Sequence, residues 1–244
     1  MASGDWSIGC EERFVSLTLA ETEIHVWRAN LALSSNDCQQ LAQLLSADER
    51  ARAERFRFPR DRDRFIVSRS TLRTLLGRYL NTSPDRVQFC YGDKGKPALT
   101  EAFAAFGLEF NLSHSEDLMV CAIAHQQAIG IDLEYLRPVA DLENLTQRFF
   151  TPREHATIHA LGGDRCIYSF FQHWTCKEAV LKATGNGLMS LSAIEVCLEH
   201  GTVMVQHNGP LAPVWSLQLF TPAPGYVGAV AINAPERSLI HQAC

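Results

Sequence analysis

An element of the form R-F-x-x-P-R occurs twice in this chain, at Arg55–Arg60 and at Arg148–Arg153, and each copy precedes a long helical pattern. The first reads ERFRFPRDRDRF and leads to a segment ending TLLG; the second reads QRFFTPREHATI and precedes one ending LKATG. With 244 residues there is room for one large domain or two small ones. A duplication on this scale implies two similar α/β halves, and the cleft between such halves is a common place for a ligand. We divide the chain at 1–115 and 116–244 on this basis.

Local patterns fill in the halves. EIHVWR (23–28) alternates like a strand. Residues 36–56 read as helical, with a capping box from Ser46 to Glu49. Asp61–Leu80 has helical periodicity, with Phe65, Leu72, Leu75, Leu76 and Tyr79 on one side. The segments VQFCY, LEFNLSH, LMVCAIA and AIGIDLEYL follow as strands, and LMVCAIA is apolar enough to be buried on both faces. Helical patterns cover 141–149, 152–161 and 164–184. The C-terminal third returns to strands at AIEVCLE, TVMVQ, VWSLQLF and YVGAVAI.

The formal net charge is −5, yet residues 48–73 hold nine of the 22 basic side chains, interleaved with five acids. Guanidinium in such density suits phosphate, because its donors form a rigid fork. A nucleic-acid-binding face would be basic without the opposing acids, so that class is set aside. The eight cysteines form no C-x-x-C pair and read as free thiols rather than a disulfide or metal framework. No apolar run reaches the length of a bilayer span, and the start MASGDWSIGCEERF lacks the pattern of a signal peptide. The expectation is a cytoplasmic protein with no membrane association.

Three segments carry chemistry. In Gly130-Ile131-Asp132-Leu133-Glu134, alternation points both carboxylates to one face of a strand and Ile131 and Leu133 to the other. Paired carboxylates suit a hard cation such as Mg²⁺, which takes oxygen ligands. In FFQHWTCKEAVLKATGNGL, the residues Trp174, Lys177, Glu178, Leu181 and Lys182 recur at helical spacing on one broad face. Gly185 and Gly187 supply a helix stop. Asn111, Ser113 and His114 sit at a strand end, where their donors suit a phosphate. A serine-hydrolase elbow G-x-S-x-G, a P-loop and the kinase motifs are all missing. His155 and His159 have i,i+4 metal spacing without the H-E-x-x-H pattern, and read as a solvated helix face.

N-L-S-H-S at 111–115, G-I-D-L-E at 130–134, R-F-F-T-P-R-E at 148–154 and W-T-C-K-E-A-V-L-K at 174–182 occur in an order that resembles the Sfp-type phosphopantetheinyl transferases. The resemblance runs from about Ala47 to Leu188, and K-G-K-P at 94–97 also fits. It implies an α/β (α+β) fold of two pseudo-twofold-related halves, each a small sheet with a long packed helix, with the active site in the cleft. It further implies a monomer that moves the phosphopantetheine arm of coenzyme A onto a serine of an apo acyl or peptidyl carrier protein. Asp132, Glu134 and Glu178 are then the Mg²⁺ ligands, with Glu178 also the base and Lys182 neutralising the leaving group beside Lys177. His114, Ser113, Asn111, Arg52 and Arg64 would hold phosphates, and Lys94, Gly95, Lys96 and Pro97 would line the adenine end. A non-catalytic carrier-protein scaffold would have lost one of the three carboxylates or Lys182, and all four are present. Another Mg²⁺-dependent phosphoryl-transfer enzyme is the remaining rival.

Overall fold

The computed structural model describes residues 16–92, 95–185, 188–199, 202–207, 215–234 and 237–243. The N-terminal part supplies β1 (Glu23–Asn30), α1 (Ser35–Ala42), α2 (Ala47–Ala53), α3 (Pro59–Tyr79), β2 (Phe89–Tyr91), β3 (Pro97–Leu99), β4 (Leu108–Ser115) and β5 (Leu118–His125). The rest supplies β6 (Ile129–Tyr135), α4 (Leu142–Phe149), α5 (Pro152–His159), α6 (Asp164–Thr184), β7 (Ile194–Glu199), β8 (Thr202–His207), β9 (Ser216–Phe220), β10 (Tyr226–Ile232) and β11 (Ser238–Ala243).

Two sheets lie back to back. One has the order β11-β1-β5-β4, the other β6-β10-β9. Alternation along β5 explains why it sits in the middle. Met119, Cys121 and Ile123 enter a core shared with α3, while Val120, Ala122 and Ala124 enter a second core against Ile131, Leu133 and Val230 of the other sheet. A strand buried on both faces needs apolar residues at every position, as LMVCAIA has. A third core joins α6 to Ala229 and Ala231 of β10. The α/β class and the arrangement of sheets with long outer helices are as expected.

Helix ends follow local chemistry. The helical stretch 36–56 forms two helices, and the Ser46–Glu49 capping box starts the second at Ala47. Pro59 opens α3, where its missing N–H costs nothing. Gly185, at φ +73°, stops α6 in the left-handed region that glycine adopts freely.

Two details differ from the sequence reading. Pro59 opens the 21-residue α3, whereas Pro152 opens the eight-residue α5, so the two R-F-x-x-P-R elements stand at different places in their halves. The corresponding pieces are instead the capping boxes, Ser46–Glu49 before α3 and Thr151–Glu154 before α6. The division at 115/116 also cuts a hairpin: β5 pairs along its length with β4 and β1, and β11 adds to β1 in parallel. Both belong to the first sheet because backbone pairing ignores distance along the chain.

Candidate active site

A glycine sets the geometry of the site. At Gly130 a Cβ would stand 2.0 Å from the Ala179 carbonyl oxygen and 2.5 Å from the Ala183 nitrogen, so the backbone of α6 lies directly on β6. Gly130, Asp132 and Glu134 share a face of the strand, and Glu178 and Lys182 immediately precede Ala179 and Ala183 on the helix. Close approach at the glycine therefore brings the helix side chains onto the strand carboxylates. Lys182 Nζ donates to Asp132 Oδ1 at 2.7 Å and to Ser113 Oγ at 2.9 Å; Ser113 Oγ donates to Asp132 Oδ1 at 3.0 Å.

The third partner is β4, which runs beside β6 without joining its sheet. Side chains of N-L-S-H-S bridge the gap. Asn111 Oδ1 accepts from the Ile131 N–H at 3.0 Å, and Ser115 Oγ accepts from the Tyr135 N–H at 3.0 Å. Alternation sends Asn111, Ser113 and Ser115 to this seam and His114 the other way, into a cavity.

The electrostatics are those of an acid cluster short of positive charge. Burial pushes the Glu178 carboxyl up to about 7, Asp132 and Glu134 add to the rise, and Lys182 opposes it. Asp132 Oδ2 and Glu178 Oε1 are buried and have no hydrogen-bond partner among the described residues. Buried carboxylate oxygens without donors fit a hard cation, which takes oxygen ligands and supplies the missing charge. Glu134 sits nearer solvent, held by Arg137 at 2.9 Å.

Beside this centre opens a cavity of about 740 Å³, lined by Arg52, Arg64, Lys96, His114 and Lys182, with Gly95, Pro97 and Asn111 also at its wall. Burial, Lys182 and Arg64 hold His114 below the usual imidazole range, so it is neutral near pH 7. Lys96 Nζ donates to the Lys182 carbonyl oxygen at 2.9 Å, tying the K-G-K-P turn to the C-terminal end of α6. The Arg52 guanidinium lies over the Phe65 ring at 5.2 Å. Arg64 is already engaged, donating to Asp117 Oδ1 at 2.8 and 3.0 Å. Lys94 lies outside the described residues.

Lys177 does not join the other site residues. It is 0% exposed, bonds to Glu154 and lies 5.0 Å above the Phe150 ring centre, in the core between α5 and α6. Adjacent helix positions diverge by about 100°, so Lys177 and Glu178 cannot both face β6. Positions 174–182 do not share one face: Lys177 is buried against Glu154 and is not at the cavity wall. Conversely, Arg69 lines the cavity with its Nη1 buried and lacking a partner among the described residues, although no motif marked it. Its i,i+4 spacing to Arg73 was the available signal, since both meet Glu49 of α2.

A buried carboxylate–ammonium centre at the seam of two sheets, opening on a large cationic cavity, is the arrangement of a group-transfer enzyme. A family model described as the 4′-phosphopantetheinyl transferase superfamily matches residues 128–231, and one described as 4′-phosphopantetheinyl transferase, N-terminal, matches 30–126. The 4′-phosphopantetheinyl transferase HetI of Nostoc sp. is 48% identical over 217 residues, covering 89% of this chain and 90% of that protein. The 4′-phosphopantetheinyl transferase Sfp of Bacillus subtilis is 28% identical over 206 residues, covering 84% of this chain and 89% of its own. A holo-(acyl-carrier-protein) synthase structure from Bacillus anthracis, in complex with CoA (3′,5′-ADP), superposes on 43% of this chain and 93% of its own. Its TM-score is 0.38 at 23% identity. The chain belongs to the 4′-phosphopantetheinyl transferase family, and is a transferase. No helix among the described residues is long and apolar enough to cross a membrane.

Proposed function

We propose that the chain transfers the 4′-phosphopantetheine group of coenzyme A to a serine of an apo acyl or peptidyl carrier protein, releasing 3′,5′-ADP, with Mg²⁺ as cofactor. The observation that carries this reading is the pair of buried oxygens, Asp132 Oδ2 and Glu178 Oε1, without a partner among the described residues and next to a lysine that opens on the cavity. Asp132, Glu134 and Glu178 would hold Mg²⁺; when bound, the ion neutralises pyrophosphate charge and polarises the phosphoryl oxygens.

The serine oxygen forms a bond to the β-phosphorus, the bond from phosphorus to the bridging oxygen breaks, and 3′,5′-ADP leaves with that electron pair. Glu178 takes the serine proton as the general base. Lys182, aimed by Asp132 and Ser113, stabilises charge on the leaving group. His114, neutral and at the cavity wall, offers a ring N–H to a phosphate. Arg52, Arg64 and Arg69 supply guanidinium charge for the 3′-phosphate, and Gly95 to Pro97 line the adenine end. Lys96 holds that segment against α6.

Intact-mass spectrometry tests the reading. Apo acyl carrier protein and an apo peptidyl carrier domain are each incubated with the chain, coenzyme A and Mg²⁺. A gain of one phosphopantetheine group that EDTA abolishes is expected; no gain on either carrier type would sink the proposal.

A further inference from the structure

Where α4 meets α5, away from the cleft, three side chains form a cluster that the transfer reaction does not use. Glu143 on α4 and His155 and His159 on α5 bring a carboxylate oxygen and two ring nitrogens within 4.8 Å of one another. The two histidines, one helical turn apart, place their ring centres 4.5 Å apart. His155 Nε2 lies 3.4 Å from Glu143 Oε1, and His159 Nδ1 lies 3.4 Å from Glu143 Oε2. Spacing alone read this pair as a solvated helix face; the rings are instead about three-quarters buried and turned towards α4.

A buried threonine fixes the orientation of both rings. The Thr146 hydroxyl lies 3.0 Å from the Leu142 carbonyl oxygen and 2.9 Å from that of Glu143. The same oxygen is 2.9 Å from His155 Nδ1 and 2.9 Å from His159 Nε2. The other nitrogen of each ring, His155 Nε2 and His159 Nδ1, then faces the Glu143 carboxylate. Two ring nitrogens and a carboxylate thus converge as the ligands of one ion would.

The ligand types select the cation. Each ring nitrogen lies 3.4 Å from one of the two Glu143 oxygens, and one ligand atom from each residue lies within 4.8 Å of the others. Two imidazoles and a carboxylate suit zinc and its first-row neighbours, whereas Mg²⁺ prefers an all-oxygen set. Gln147 Nε2 donates to Glu143 Oε1 at 2.7 Å, the kind of outer bond that a ligating carboxylate keeps.

We propose that Glu143, His155 and His159 form a binding site for a zinc-type divalent transition-metal ion, with Thr146 and Gln147 orienting the ligands. The ligands come from two helices, so the ion clips α4 to α5. α5 in turn carries Glu154, which grips Lys177 of α6. The site is therefore structural, sits behind the catalytic helix and does not depend on the transferase reading.

The test titrates Zn²⁺ alone into the metal-stripped full chain by calorimetry, in a buffer containing Mg²⁺, and repeats the titration with Co²⁺ to read the ligand set. One tight Zn²⁺ per chain and a raised thermal midpoint are expected, with a Co²⁺ spectrum of nitrogen and oxygen ligation. His155→Ala and His159→Ala should each weaken binding at least tenfold, by the loss of a ligand. Thr146→Val, which keeps the shape and removes only the hydroxyl, should weaken it about 10–100-fold. Asp132→Ala should leave zinc binding unchanged. No tight Zn²⁺ in the wild type, affinity that survives in the double histidine variant, or a thiolate charge-transfer band with Co²⁺ would each overturn the proposal.

Discussion

Helices α3 and α6 are each 21 residues long, and each is anchored by a buried glutamate from the short helix before it. In the N-terminal half Glu49 accepts from Arg73 Nε at 2.6 Å; in the C-terminal half Glu154 accepts from Lys177. Both glutamates close a capping box, with Ser46 and with Thr151. The anchors use the same chemistry with different cations. Arg73 has donors to spare and also bonds the Pro84 and Val87 carbonyls, while the Glu154 carboxylate takes the Val196 N–H.

What differs is how each helix meets its sheet. Large side chains, among them Leu72, Leu76, Trp27 and Met119, fill the space between α3 and the first sheet. α6 also packs through large side chains, Val180 and Leu217 among them, but at Gly130 its backbone rests directly on β6. That local approach brings its charged side chains onto the strand carboxylates. The first half contributes the arginine-rich wall of the cavity instead. The two halves thus carry different specialised parts.

The comparison can be broken or sharpened by substitution. Aligning the anchors puts Thr74, whose hydroxyl bonds the Ser70 carbonyl, at the place of Glu178. Glu178→Gln is expected to lower turnover by about 10²–10⁴ with coenzyme A affinity retained, whereas Thr74→Ala leaves turnover within about twofold. Steady-state kinetics with a carrier protein would decide, and wild-type turnover in Glu178→Gln would remove the base from its assigned place. Next in size, Glu49→Ala and Glu154→Ala should each destabilise the fold by about 3–5 kcal/mol, since each strands a buried cation. Urea denaturation that shows a loss in one variant alone would mean the anchors are not equivalent.

Gly130→Ala places a methyl group against the α6 backbone and should cost about 10² in turnover, the expected effect of a 1 Å misplacement of catalytic groups. Ile66→Val, in the first half, should cost about 1 kcal/mol of stability and leave turnover near wild type. The remaining effect is on pH. With its carboxyl near 7 in the metal-free protein, Glu178 is ionised above that pH and protonated below it. Protons then compete with Mg²⁺, so affinity should fall by up to about tenfold per unit as pH drops below 7. A calorimetric affinity that is flat from pH 8 to about 6 would take Glu178 out of the ligand set.

Much of this was legible along the chain. Strand alternation placed Asp132 and Glu134 on one face and Ile131 and Leu133 in the core, and the capping boxes marked two helix starts. These are local properties, decided by period and by hydrogen bonds within a few residues. Lys177 was misread because a helix face about 140° wide can meet two different neighbours, and spacing does not say where one ends. The β11 pairing, the Arg69 nitrogen that lacks a partner among the described residues and the approach of Glu143 to the His155–His159 pair were not legible in any motif.

The sequence by itself determined which side chains a strand or helix presents together, because backbone geometry repeats every two or 3.6 residues. Only the tertiary structure decided which presented faces meet. That choice rests on how closely two backbones approach, and here it turned on a single glycine whose missing Cβ lets a helix touch a strand.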